Sequence, residues 1–207
     1  MATMLTPQQV ADFFRSCVDE QAGDYMTHLR LQKLVYYAQA WHLAATGRPL
    51  FHEDFQARVH GPVLLSLHRE YRGYKWDVIL SEGIAPPLMD DETRTVLSDV
   101  WANYGQYSAK ALEEMTHSEA PWIDARSGCA PHEKCATVIP KEAMQDYYKR
   151  LRDMNVAVRP LTPGERGYDL VPTDIVASQD STEEFIAFLS RLASTDAAAD
   201  DTAHADA

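Results

Sequence analysis

Apolar positions recur at helical spacing along most of the chain, most regularly over residues 26–46. This stretch has no Gly or Pro, opens on a capping-type Thr27 and stops before Gly47 and Pro49, the signals that bound a helix. At about 100° per residue, Leu31, Leu34, Ala38, Trp41 and Ala45 form one stripe, and Leu29, Tyr36, Ala40 and Leu43 form a second, roughly opposite. A helix with two apolar faces must be packed from both sides. Its expected neighbours are the first helix on one side and the helices near residues 63 and 93 on the other. Between the stripes lie His28, Gln32, Gln39 and His42, with a basic pair, Arg30 and Lys33. These polar groups need partners, either internal or on a bound protein.

Around this helix the pattern predicts further elements. Thr6-Pro7 starts a first helix that carries Val10, Phe13, Phe14 and Cys17 and ends near Glu20. Phe55, Ala57 and Val59 alternate with polar neighbours up to Gly61-Pro62, which predicts a short strand and a turn. Pro62 is expected at the first turn of a helix over residues 63–71. A second extended piece is expected at Val78-Ile79-Leu80. Further helices follow from Asp90, from a Ser108 cap, and from Pro140 through Met144, Tyr147, Tyr148 and Leu151, with a further turn around Trp122. Residues 127–138 read as a loop.

Composition changes after Arg152. Pro160, Pro163, Gly164, Gly167 and Pro172 interrupt any period, which predicts a linker. Ser181-Thr182-Glu183-Glu184 is a capping box ahead of Phe185, Phe188, Leu189 and Leu192. The Ala and Asp tail from Ser194 reads as disordered. The expected architecture is therefore mainly α: a single helical domain over residues 1–152, built around a central helix with one small two-stranded β element. A C-terminal extension with a short amphipathic helix follows over 153–193, and then a tail over 194–207.

The chain has 207 residues, 45% of them apolar, and a net charge of −12. It is long enough to bury a substantial core. The acidity argues against nucleic acid as the main partner, because that affinity rests on Lys and Arg. No basic leader or run of about 18 apolar residues is present, which points to a cytoplasmic protein with no membrane partner. Three cysteines, an odd number, suit reduced thiols better than a disulfide framework.

Candidate chemistry is sparse. Cys129, His132 and Cys135 have ligand-type spacing, and Cys17 or His117 would complete a zinc site. No second Cys pair supports it, and loop residues without a ligand role are the simpler reading. Glu113, Glu114, His117 and Glu119 cluster as candidate acid and base groups, although such clusters usually cap helix ends. His52-Glu53 and His132-Glu133 lack the second His of a zincin motif, and no glycine-rich phosphate loop occurs. The best basic patch is Arg69, Arg72 and Lys75, interrupted by Glu70. The aromatics Tyr36, Tyr37, Trp41, Tyr71, Tyr74, Trp76 and Trp122 suit either a core or a protein-binding surface.

Several spaced motifs resemble one family. They are the run from Thr27-His-Leu-Arg-Leu-Gln-Lys to Ala-Gln-Ala-Trp-His-Leu-Ala, Gly47-Arg-Pro-Leu-Phe, Gly61-Pro-Val, Tyr71-Arg-Gly-Tyr, Val100-Trp-Ala-Asn-Tyr and Thr116-His-Ser-Glu-Ala-Pro-Trp. This order, over residues 6–151, resembles the Panacea antitoxin domain, also described as the phage-associated GepA-like family, which includes SocA-like proteolytic adaptors. The resemblance implies an antitoxin that neutralises its cognate toxin by direct protein binding, in some members by delivery to the Clp ATP-dependent protease. It implies no catalytic residue and no cofactor. Residues 155–207 and the Cys129 to Cys135 loop lie outside the shared pattern.

On this reading the chain is a binding protein and not an enzyme. The partner-binding candidates are Gln32, Lys33, Tyr36, Tyr37, Gln39, His60, Gly61, Pro62, Tyr71 and Tyr74. Gln32, Gln39 and Lys33 are also expected as internal ties to the Gly61-Pro62 turn. The alternatives are a DNA-binding regulator of its own operon and a metal-dependent hydrolase.

Overall fold

Thr27 is extended and its hydroxyl accepts from the Arg30 N–H, while Gly47 adopts φ 71° and donates to the Leu43 carbonyl. Between these caps runs a helix, His28–Thr46. The computed structural model describes residues 4–81, 83–130 and 132–154. Along them the elements are α1 (Pro7–Ser16), β1 (Met26–Thr27), α2 (His28–Thr46), β2 (Gln56–Arg58), β3 (Gly61–Val63), α3 (Leu65–Tyr71), β4 (Val78–Ile79), α4 (Asp91–Tyr104), α5 (Ala109–His117), α6 (Ala120–Ala125) and α7 (Lys141–Asp153). Short 3-10 turns lie at Glu20–Ala22 and Arg72–Tyr74. The architecture is mainly helical, as the periodicity requires. The expected linker, the helix near residue 182 and the tail lie outside the described residues.

Every residue of α2 from 30 to 44 is buried. The enclosing layer holds the three helices expected, α1, α3 and α4, and adds two that were not, α7 and α5. α7, α4 and α5 are its main neighbours, with α1, α3 and β3 completing the cage. α7 contributes Met144, Tyr147, Tyr148 and Leu151 to the interior. Tyr148 meets Trp41 edge-on at 4.8 Å, and Tyr104 of α4 stacks on Tyr37 at 3.8 Å while its hydroxyl accepts from the Trp41 indole at 3.0 Å. Such ring pairs add about 0.5–1.5 kcal/mol to the area they bury.

Three element boundaries depart from the sequence reading. α1 ends at Ser16, because the Asp19 carboxylate accepts from the N–H groups of Gln21 and Ala22 and turns the chain into a 3-10 segment. Pro62 lies in β3 and not in a helix. The register pairs Gln56 with Val63, Ala57 with Pro62 and Arg58 with Gly61. Ala57 spends its N–H on Thr137 and its carbonyl on Arg126, so it needs no donor from proline. Finally, the described residues form two small sheets where one was expected. Met26 and Thr27 pair with Ile79 and Val78, so Met26 belongs to a strand and α2 begins two residues later.

Candidate functional site

The polar groups of α2 reach inward to loops. Gln32 accepts from Leu64 N at 2.8 Å and donates to Leu64 O at 3.2 Å, which holds Leu64 extended ahead of α3. Lys33 donates to the Pro62 carbonyl at 3.0 Å from a position with no solvent exposure. Gln39 does not reach the Gly61-Pro62 turn. Its side chain accepts from the N–H groups of Leu50 and Phe51 and donates to the Phe51 carbonyl.

Below this layer sits a buried carboxylate. Glu119, at the start of α6, accepts from the hydroxyls of Tyr37 at 2.9 Å and Tyr148 at 2.7 Å. Burial raises its carboxyl well above the usual range, against the lowering effect of the two tyrosine bonds and of Lys33. Burial likewise lowers the Lys33 ammonium, against the pull of Glu113 and Glu119. Each charge lies in a medium where it can persist only with a partner.

The ten partner-binding candidates therefore divide. Gln32, Lys33, Tyr36, Tyr37, Gln39, Gly61, Pro62 and Tyr71 are buried. Tyr36 packs edge-on against Phe55, and the Tyr71 hydroxyl accepts from Gln8 at 2.5 Å. His60 and Tyr74 reach the surface, where the His60 imidazole meets Glu113 at 3.1 Å.

Among the described residues the chemical alternatives find no constellation. Burial lowers the pKa of His117 to about 4, and its ring stacks on Trp122 at 4.1 Å. Glu119 has both oxygens committed to tyrosines. Cys129 and Cys135 are joined by a disulfide, contrary to the reduced thiols expected, with Cα atoms 6.2 Å apart as such a bond requires. That bond removes two of the proposed zinc ligands. Among the described residues no group of three or more His, Cys, Asp or Glu is placed to hold a metal, and no helix is long and apolar enough to cross a membrane.

Sequence reasoning missed a cleft of about 600 Å³ between the start of α2, the β2–β3 hairpin, the Arg72–Tyr74 turn and residues 132–135. Arg58, Arg72, Lys75 and Lys134 line it together with His28, His68 and Trp76. Arg72 and Lys75 stand in the basic patch that the sequence marks, but Arg58 and Lys134 come from separate segments, so no local motif announces the cluster as a whole.

A helical hub tied by buried side chains to a short hairpin is thus the framework of residues 31–123, the stretch that matches the family described as Antitoxin SocA-like, Panacea domain. Over 147 residues the chain is 28% identical to the Antitoxin SocA of Caulobacter vibrioides (strain NA1000 / CB15N), an alignment covering 65% of this chain and 78% of that protein. No solved structure matches the chain.

Proposed function

We propose that this chain is the antitoxin of a bacterial toxin-antitoxin pair and neutralises its cognate toxin in the cytoplasm by direct protein-protein contact. The observation that carries this reading is the match of residues 31–123 to the SocA-like antitoxins. The side chains of α2 are taken up in holding loops, so the contact falls to the shell around them. His60, Tyr74 and Leu80 are exposed on that shell near the hairpin and β4, and a Tyr with apolar neighbours is the composition that binding surfaces favour. On this reading Gln32, Lys33, Gly61 and Pro62 act indirectly, by fixing the hairpin that presents His60. The acidic body, at −12 overall, speeds the approach of a basic partner.

Co-expression tests the reading. A neighbouring open reading frame that is toxic alone, and harmless and co-purifying with this chain, supports it. Toxicity unrelieved by this chain would count against it. The finer form, delivery to the Clp protease, rests on the resemblance to adaptor antitoxins. It predicts that the toxin's half-life lengthens when Clp is inactive, and an unchanged half-life leaves occlusion as the mode.

A further inference from the structure

We propose that the cleft beside the hairpin is a binding site for a nucleoside polyphosphate. Three observations carry it, independently of the toxin reading.

The first is charge. Arg58, Arg72, Lys75 and Lys134 line one cavity of a chain whose net charge is −12. Among the described residues none of the four has a carboxylate within ion-pair distance. Arg58 is bonded to the neutral Gln56 at 2.7 Å. His60, which also lines the cleft, meets Glu113, and that carboxylate is shared with Lys110. His68 registers the resulting field, since its basicity is lowered first by burial and then by Arg58 and Arg72. Clustered cations of one sign repel one another, and an anion relieves that repulsion.

The second is shape. About 600 Å³ is the size of a small-molecule pocket. Leu29, Val59 and Val63 give it an apolar side.

The third is a poised ring. Trp76 is 73% exposed yet lines the cleft, edge-on to His60 at 6.3 Å. It follows Lys75, whose φ of 52° and ψ of −107° lie outside the regions open to a residue with a Cβ. Strain of this kind is retained where surrounding structure enforces a functional geometry. The strained turn aims a cation and an indole at one space, the pair that grips a phosphate and stacks a base.

Calorimetry on the full chain tests the assignment, with ATP, GTP, AMP, tripolyphosphate and poly-glutamate as probes. ATP and GTP should bind saturably and at least about tenfold tighter than AMP. Arg72→Glu with Lys75→Glu should weaken ATP by at least about tenfold, while Arg48→Glu, whose side chain pairs with Glu92 at 2.6 Å outside the cleft, should change nothing. Trp76→Ala should weaken ATP about fivefold and leave tripolyphosphate unaffected, the signature of lost stacking. The altered side chains are all exposed, and circular dichroism verifies that each variant folds. No saturable binding of ATP up to about 1 mM would overturn the proposal, as would ATP binding indifferent to the charge reversals. Poly-glutamate binding without ATP binding would assign the cleft to an acidic protein segment instead. Tripolyphosphate binding as tight as ATP, with Trp76→Ala silent, would overturn the nucleoside part.

Discussion

The Lys33 ammonium occupies the space that a side chain on Gly61 would need: a Cβ added at Gly61 would fall 2.5 Å from Nζ and 2.7 Å from the Thr116 hydroxyl. Gly61 also has φ 87°, so alanine there meets both a strained backbone and a displaced buried charge. Gly61→Ala should destabilise the fold by about 3 kcal/mol, read as a lower urea midpoint. Gly73→Ala, where nothing lies within 4 Å, should leave the midpoint almost unchanged. Equal midpoints for the two variants would contradict the account.

Glu119 gives the fold a pH signature. Burial lifts its carboxyl from 4.5 to about 7, so between those values the folded protein keeps a proton that the unfolded chain has released. Its contribution is therefore full below about pH 4.5 and is lost as pH rises through about 7. Lys33 runs in the opposite sense: burial lowers it from 10.5 to about 7, and stability rises with pH between those values, where the unfolded chain binds the extra proton. Glu119→Gln should remove the first slope. The stability difference between the natural chain and this variant should shrink from about pH 5 to about pH 7, by at most about 1.4 kcal/mol per pH unit. A difference constant over that range, in urea titrations, would contradict the assignment.

Gln39→Leu keeps the size of the side chain and removes three hydrogen bonds to residues 50 and 51. Buried backbone groups left unpaired cost about 1–3 kcal/mol each. The variant should melt lower, and the amides of Leu50 and Phe51 should exchange with solvent faster than those of the hairpin. Uniform exchange across both loops would show that Gln39 does not hold this one.

His60→Ala combined with Tyr74→Ala alters only exposed groups and should shift stability by about 0.5 kcal/mol or less each. On the toxin-binding reading the pair should lose neutralisation of the cognate toxin in a growth assay, at unchanged melting temperature. Full protection would move the docking face elsewhere on the shell.

Much of this fold was readable from single residues. Thr6, Thr27 and Ser108 cap helices in the structure as their positions predict, and the two apolar faces of α2 foretold its enclosure. The identity of the enclosing helix was not readable, because α7 is mostly polar and its inward residues do not say which helix they meet. Of the second sheet, Val78-Ile79 was readable as extended, but its partner Met26-Thr27 is two residues at the mouth of a helix, too short to show a period. Spacing could not tell a disulfide from free thiols in the 129–135 loop. The Lys33 and Glu119 region was half visible: the need for buried partners on α2 followed from its pattern, but a carboxylate from the start of α6 carries no mark of its interior position.

The complete burial of α2 has an evolutionary consequence. An ordinary amphipathic helix has an outer face on which substitutions accumulate at little energetic expense. α2 has none over residues 30–44, so change there is limited to volume-conserving exchanges made together with its neighbours. Whatever adapts one member of such a lineage to a different partner must be written in the surrounding helices and loops. The interior can then stay fixed while the outer surface diverges, which makes this scaffold suited to acquiring new partners without refounding its core.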